Sequence, residues 1–165
     1  MALGEVGEIC ARSYAIMSCY NDNPEATQKT VDNEGWLHTG DLGTMDKNGF
    51  LTLTGRVKDM IIRGGENHFP AEIEAVLVTH PDIMQVAVVG LPDEKWGEVI
   101  AAFFKSETTP KKEDLRSHAR NHMSAQKTPS IWVKVVDFPL TGSGKIQKFE
   151  IVDRYIKGKY GVVIN

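Results

Sequence analysis

The sequence predicts an α+β chain in two parts. Three observations carry that prediction. Residues 1–57 are rich in strand signals and hold only one short helical stretch. Residues 58–165 interleave apolar, β-branched runs with amphipathic helical stretches in the order β-α-β-β-α-β-α, a compact unit of roughly 100 residues. A chain of 165 residues is the size of one ordinary domain, or of a small domain plus a piece of another. It is short for a two-substrate nucleotide enzyme built on a complete doubly wound core. The shift in composition sets the boundary near Arg56 to Lys58.

The elements follow in order. Glu5 to Arg12 alternates and reads as a strand. Asn21 to Thr30 opens on turn formers and Pro24, then continues with helix formers, so a short helix is expected. Trp36 to Arg56 is β-like. Within it Asp46-Lys47-Asn48-Gly49 separates two strand runs and predicts a hairpin. Val57 to Arg63 reads as a further short strand. After Gly64-Gly65, Pro70 stands where a first helical residue should, and Ile73, Val76, Leu77 and His80 follow at helical spacing. His80-Pro81 ends that helix. Met84 to Val89 and Val99 to Lys105 read as buried strands. Lys111 to Ser124 is a charged helix with Leu115, Ala119 and Met123 on one face. Ile131 to Phe138 is a strand and Pro139 to Gly144 a loop. Gln147 to Tyr155 is a last helix, with Phe149, Val152 and Ile156 expected to point inward.

Composition excludes several classes. With 41% hydrophobic and 25% charged residues, a packed core is within reach and wholesale disorder is not expected. A net charge of -3 without a basic stretch argues against a nucleic-acid partner. No apolar run reaches the roughly 18 residues of a membrane span. The opening MALGEVGEIC carries charge early and lacks an apolar segment, so it does not read as a secretory signal. Cys10 and Cys19 lack metal-ligand spacing and read as reduced thiols of a cytoplasmic protein. His118 and His122 stand four apart on a helix, without a carboxylate-bearing motif around them, so no metal site is assigned.

Three clusters could carry chemistry. In Trp36-Leu37-His38-Thr39-Gly40-Asp41-Leu42, an acid after a glycine at a strand end can offer its carboxylate to adjacent hydroxyls, as on a ribose. It can equally cap its own turn. Gly55-Arg56-Val57-Lys58-Asp59, followed by Arg63-Gly64-Gly65-Glu66-Asn67, can bring backbone close to a ligand or let a loop reorient. It can also be a plain connection with solvated charges. Thr141-Gly142-Ser143-Gly144-Lys145-Ile146 invites a phosphate-loop reading, but Pro139 and Ile146 break that pattern at both ends. What remains is a Gly/Ser loop presenting one ammonium, suited to an oxygen that gains charge in a transition state.

In this order and spacing the clusters resemble one family. GEVGEICARS, YNDNPEAT, GWLHTGDLG, DKNGFLTLTGRVKDMIIRGGENHFPAEIE, VVGLPDEKWGE and FPLTGSGKIQKFEI are collinear and cover nearly the whole chain. Together they resemble the carboxy-terminal part of the AMP-forming acyl-CoA synthetases, in the adenylate-forming superfamily. The GGENHFPAEIE and GKIQKF wording is most similar to fatty-acyl and medium-chain acid ligases.

The resemblance implies a fold and a set of roles. Residues 1–57 would be the last β-rich edge of a large N-terminal domain. Residues 58–165 would be the small swinging domain, a mixed three-stranded sheet with helices. Asp41 and Arg56 fall on the family's ribose contacts and Lys58 on its hinge. Gly65 falls on the loop lining the pantetheine tunnel, and Lys145 on the lysine needed for adenylation. The implied ligands are ATP or AMP, CoA, a carboxylic acid and Mg2+. The phosphate loop, the adenine and acyl pockets and the magnesium-handling glutamate would belong to the large domain, so the chain is expected to be inactive alone. Other readings are a module docking on a separate large subunit, or a sensor of CoA or acyl-CoA. Unpaired strands in residues 1–57 would also allow a homo-oligomer. The sequence departs from the family at Gln126, where an aromatic often precedes Lys127-Thr128-Pro129.

Overall fold

A computed structural model describes residues 2–160 and residue 164. The chain divides into two compact units, Met1–Lys58 and Asp59–Asn165.

The first unit is a three-stranded antiparallel sheet in the order β1-β2-β3, from β1 (Gly7–Ala11), β2 (Leu37–Met45) and β3 (Leu51–Arg56). Helix α1 (Pro24–Thr30) precedes β2. It starts where the sequence indicates, because Asn23 Oδ1 accepts the Ala26 N–H at 3.0 Å and Pro24 opens the first turn. The β2–β3 hairpin is equally local in origin. Asp46 Oδ1 accepts the N–H groups of Asn48 and Phe50, and Gly49 takes the left-handed conformation that closes the turn. Between the Glu8↔Leu42 and Cys10↔His38 pairs the register shifts, and β2 bulges around Gly40. On β3, Leu51 and Leu53 remain exposed.

The second unit is a three-layer α/β/α arrangement. Its central strand is β7 (Gly97–Lys105), buried from Val99 through Phe104. One edge of β7 pairs antiparallel along β6 (Gln85–Asp93). The other edge takes β4 (Ile61–Arg63) at Gly97, and β8 (Ile131–Lys134) in parallel from Ala101 to Phe104. Strand β5 (Glu66–His68) folds back on β4. The sheet thus has five strands, two more than the three expected from the resemblance. One short strand, Ile61–Arg63, falls within the stretch expected over Val57 to Arg63, whereas Glu66–His68 exists by pairing across Gly64-Gly65 and not by its own composition. The 3-10 turn Val57–Asp59 also replaces the start of the strand expected over Val57 to Arg63.

The period-2 geometry of β7 splits the core. Ile100, Ala102 and Phe104 join Ile61, Ile73, Leu77, Leu115, Ala119 and Trp132 under α2 (Pro70–Leu77) and α3 (Lys112–His122). Val99, Ala101 and Phe103 face the opposite layer with Val133 and Ile151, under α4 (Lys148–Ile156). The expected inward face of α3 is the observed one. That of α4 is not: Phe149 and Ile156 are 69% and 64% exposed, whereas Ile151 is fully buried and Val152 and Tyr155 pack beside it. Two apolar stripes share Val152 on this helix, and periodicity alone does not choose between them. Phe103 decides it by meeting Tyr155 edge-on, with ring centroids 5.7 Å apart.

Two buried histidines give the fold a pH dependence. His68 and His80 lie in the second unit, and desolvation holds both below the ordinary histidine pKa. Neither ring nitrogen of His68 has a hydrogen-bond partner among the described residues. The unfolded chain therefore takes up protons more readily than the folded one just below the unfolded value of about 6.5. Stability is complete above that pH and declines as pH falls from there toward the folded values. Melting temperatures of the second unit should drop as pH falls below about 6.5. His68→Gln and His80→Gln should each flatten that slope, and an unchanged slope in both variants would refute the assignment.

Candidate functional site

In the first unit, Asp41 and Arg56 are direct cross-strand partners on β2 and β3. Arg56 Nε donates to Asp41 Oδ1 at 2.8 Å, and both side chains reach solvent. Asp41 Oδ2 has no hydrogen bond among the described residues. The strand that presents Asp41 is braced from below. Thr39 Oγ1 donates to the Ile9 carbonyl at 2.7 Å and accepts the Asp41 N–H at 3.1 Å. Glu8 Oε1 accepts the Gly40 N–H at 3.0 Å. This arrangement offers a surface carboxylate with one free oxygen beside a guanidinium, which suits vicinal hydroxyls next to an anion. Asp41 does not cap its own turn; its carboxylate serves the cross-strand arginine. Lys58 lies exposed in the 3-10 turn that closes the unit.

Beneath that strand, His38 bridges two acids. Its Nδ1 lies 2.8 Å from Glu8 Oε2 and its Nε2 lies 3.4 Å from Asp32 Oδ2. Hydrogen bonding to Glu8, then to Asp32, raises its pKa above the ordinary value. Cys10 Sγ approaches the same Nδ1 at 3.6 Å. Glu8, Cys10 and His38 are the one metal-competent trio among the described residues. The sequence reading assigned no metal and did not bring these three together, because the Cys10–His38 pairing spans 28 residues.

In the second unit, Gly64-Gly65 is the two-residue turn between β4 and β5. Both residues have positive φ, 59° and 84°, as the tight hairpin turn with matched twist requires. Gly64 has a further constraint, since a Cβ there would sit 2.9 Å from Trp96 Cε3. Gly65 has open space around it. Trp96 is the residue that sequence reasoning missed. It sits half-exposed under Gly64, with the Arg63 guanidinium 5.3 Å and the Lys95 ammonium 5.0 Å from its ring centroid. Its only signal was its place in the VVGLPDEKWGE stretch. Arg63 Nη1 is tied to the Gln126 carbonyl at 2.8 Å, so the departure at Gln126 is served by main chain.

Lys145 stands on a small, well-braced loop. Leu140 and Ile146 form an antiparallel bridge. Thr141 N–H donates to the Lys145 carbonyl at 2.8 Å, Thr141 Oγ1 accepts the Lys145 N–H at 3.0 Å, and Gly144 turns with positive φ. Its ammonium makes no ion pair or hydrogen bond among the described residues. Three residues on, Lys148 is spent structurally. Its Nζ lies 2.7 Å from Glu74 Oε1, the same oxygen that accepts the Val88 N–H. The motif thus divides its two cations, one locked and one available.

One unit thus pairs an aspartate with an arginine, and the other carries a free lysine on a braced glycine loop. The family described as AMP-binding enzyme C-terminal domain matches residues 72–145. The putative acyl-CoA synthetase YngI of Bacillus subtilis is 42% identical over 93% of this chain and 28% of its own length. The mitochondrial medium-chain acyl-CoA ligase ACSF2 of Homo sapiens is 44% identical over 90% of this chain and 25% of its own. Among solved structures, o-succinylbenzoate CoA synthetase (MenE) from Bacillus subtilis, in complex with its acyl-adenylate intermediate, superposes with a TM-score of 0.86 at 33% identity. That match covers 92% of this chain and 31% of the other. The chain carries an AMP-binding enzyme C-terminal domain, and its homologues over most of its length are acyl-CoA synthetases. It spans between a quarter and a third of the length of these relatives. No helix among the described residues is long and apolar enough to cross a membrane.

Proposed function

We propose that this chain is the carboxy-terminal part of an ATP-dependent carboxylic acid:CoA ligase acting in fatty-acid metabolism in the cytoplasm. The observation that carries the reading is Lys145, an unpaired ammonium on a rigid loop, in a chain whose other unit pairs Asp41 with Arg56. In the first half-reaction a carboxylate oxygen bonds to the α-phosphorus of ATP, and the bond to the pyrophosphate oxygen breaks. Lys145 would meet the negative charge that gathers between the two anions. Asp41 would hold the ribose hydroxyls through its free oxygen, with Arg56 keeping the carboxylate oriented. In the second half-reaction the CoA sulfur bonds to the acyl carbon, its proton leaves to solvent, and AMP departs. The open space at Gly65 suits close passage of a slender pantetheine chain.

Rotation about Lys58 would present the two faces of residues 58–165 in turn, residues 1–57 staying with the large domain. Mg2+ would draw on carboxylates of the large domain, since Asp41 lies in no cluster of metal-ligating groups among the described residues. Exposed Leu51 and Leu53 on β3 suit burial against the rest of that domain.

The test is pyrophosphate–ATP exchange with a panel of acids, octanoate and benzoate included. The pure chain should be silent, and adding the large domain of a relative in trans should bring acid-dependent exchange. Exchange by the pure chain would overturn the dependence on a large domain. Failure with every large domain tried would count against the ligase reading.

A further inference from the structure

The first unit contains a cluster that the ligase chemistry does not use. Glu8 and Cys10 are two apart on β1, so their side chains share one face. Cys10 stands directly opposite His38 in the β1–β2 ladder. The bulge between Glu8 and Cys10 shortens β1 against β2 and draws the Glu8 carboxylate over the same imidazole. Three different ligand types therefore meet at one nitrogen. Cys10 Sγ and Glu8 Oε2 lie 3.6 Å and 2.8 Å from His38 Nδ1, and the three ligand atoms all fall within 4.8 Å of one another.

We propose that Glu8, Cys10 and His38 form a surface site for one thiophilic divalent cation of the zinc class, with water completing the coordination.

The distances support a tetrahedral ion. Zinc–sulfur and zinc–nitrogen bonds of about 2.3 Å and 2.05 Å place sulfur and nitrogen about 3.5 Å apart across a tetrahedral edge. The observed 3.6 Å matches. The nitrogen–oxygen edge expected on the same basis is about 3.4 Å, so the Glu8 carboxylate needs to withdraw by only about 0.6 Å. The other side of the imidazole is already arranged for a metal. Nε2 faces Asp32 Oδ2, the carboxylate–histidine pairing that keeps a proton on Nε2 when an ion displaces the one on Nδ1. Asp32 is itself immobilised, since its Oδ1 accepts the N–H groups of Glu34 and Trp36 at 2.9 Å each. Two carboxylates beside one thiol also make the spot attractive to a cation. On binding, Cys10 loses its thiol proton and His38 Nδ1 loses the proton it directs at Glu8, both to solvent, and Glu8 exchanges its contact with the imidazole for one with the ion. Glu8 Oε1 stays on the Gly40 N–H, so the ion would tie β1 to the strand that presents Asp41.

The site is independent of the ligase reading and is tested on the 165-residue chain itself. Cobalt(II) titration, followed by absorbance, should give one equivalent and a thiolate-to-cobalt charge-transfer band that zinc then abolishes. Cys10→Ala should lose the band, while Cys19→Ala, altering the other exposed thiol, should keep it. Asp32→Asn should retain the band and weaken the affinity about 10- to 100-fold through loss of the orienting carboxylate. Circular dichroism checks that each variant is folded. Absence of the band in the unmodified chain, its persistence in folded Cys10→Ala, or its loss in folded Cys19→Ala would each overturn the proposal. His38→Gln is the second variant, and full binding by it would do the same.

Discussion

Lys145→Ala, in this chain combined with a large domain, is expected to lower acid-dependent pyrophosphate–ATP exchange by about 10²–10³-fold. The same change should leave stability within about 0.5 kcal/mol. The structure motivates both halves. The Lys145 side chain is exposed and makes no ion pair or hydrogen bond among the described residues, so folding loses no contact with it. The loop does not need the ammonium either, because it is held by the Thr141 contacts, the Leu140–Ile146 bridge and the Gln147 N–H on the Pro139 carbonyl at 2.8 Å. Among the described residues, the fold thus makes no use of this ammonium. On the proposed role of the lysine in the first half-reaction, thioester formation from a supplied acyl-adenylate should survive the substitution. Equal loss of both half-reactions would mean that it acts in binding common to the two. Lys148→Ala should behave in the opposite way. It breaks the pairing with Glu74, whose carboxylate also holds Val88, and should act through stability.

Trp132→Ala is expected to destabilise the second unit by about 3–5 kcal/mol, read from denaturant midpoints at unchanged slope. Trp132 is completely buried on β8 among the residues that α2 and α3 cover. Its ring meets Phe104 nearly perpendicular, with centroids 6.4 Å apart. Removing it opens a cavity between the central strand pair and two helices, all of which are fixed by other contacts and cannot collapse inward. With total stability of ordinary domains at about 5–15 kcal/mol, that is a large share. Trp132→Phe separates volume from polarity. The indole N–H has no partner among the described residues, so phenylalanine removes a buried donor while keeping most of the ring. It should cost far less than alanine. Equal losses for both variants would show that the contact specific to the indole, and not cavity size, sets the stability.

Much of the architecture was legible because it is local. The α1 start needs only Asn23 and Pro24, and the β2–β3 turn only Asp46 and Gly49. The buried run of β7 is continuous because that strand is covered on both faces, which leaves an unbroken apolar signal. The α3 face was read correctly from one unambiguous stripe. The α4 face was not, because Phe149 and Ile151 are both apolar and only the position of Phe103 and Tyr155 selects one. Strand β5 was missed for a related reason, since Glu66-Asn67-His68 has no strand composition and exists by pairing with Ile61 to Arg63.

The candidate site divides along the same line. By itself the sequence determined the family, the residue types at Asp41, Arg56, Lys58, Gly65 and Lys145, and the order of elements that carry them. Those are properties of spacing along one chain. Only the tertiary structure decided which charges are committed and which are free. It pairs Asp41 with Arg56 and Lys148 with Glu74, and it leaves Lys145 to solvent. It also sets Trp96 beneath Gly64, and Cys10 opposite His38. The physical reason is range. Turn, cap and periodicity preferences act over a few residues, whereas ion pairs, ring contacts and ligand clusters depend on distances that sheet register and helix packing impose between distant segments.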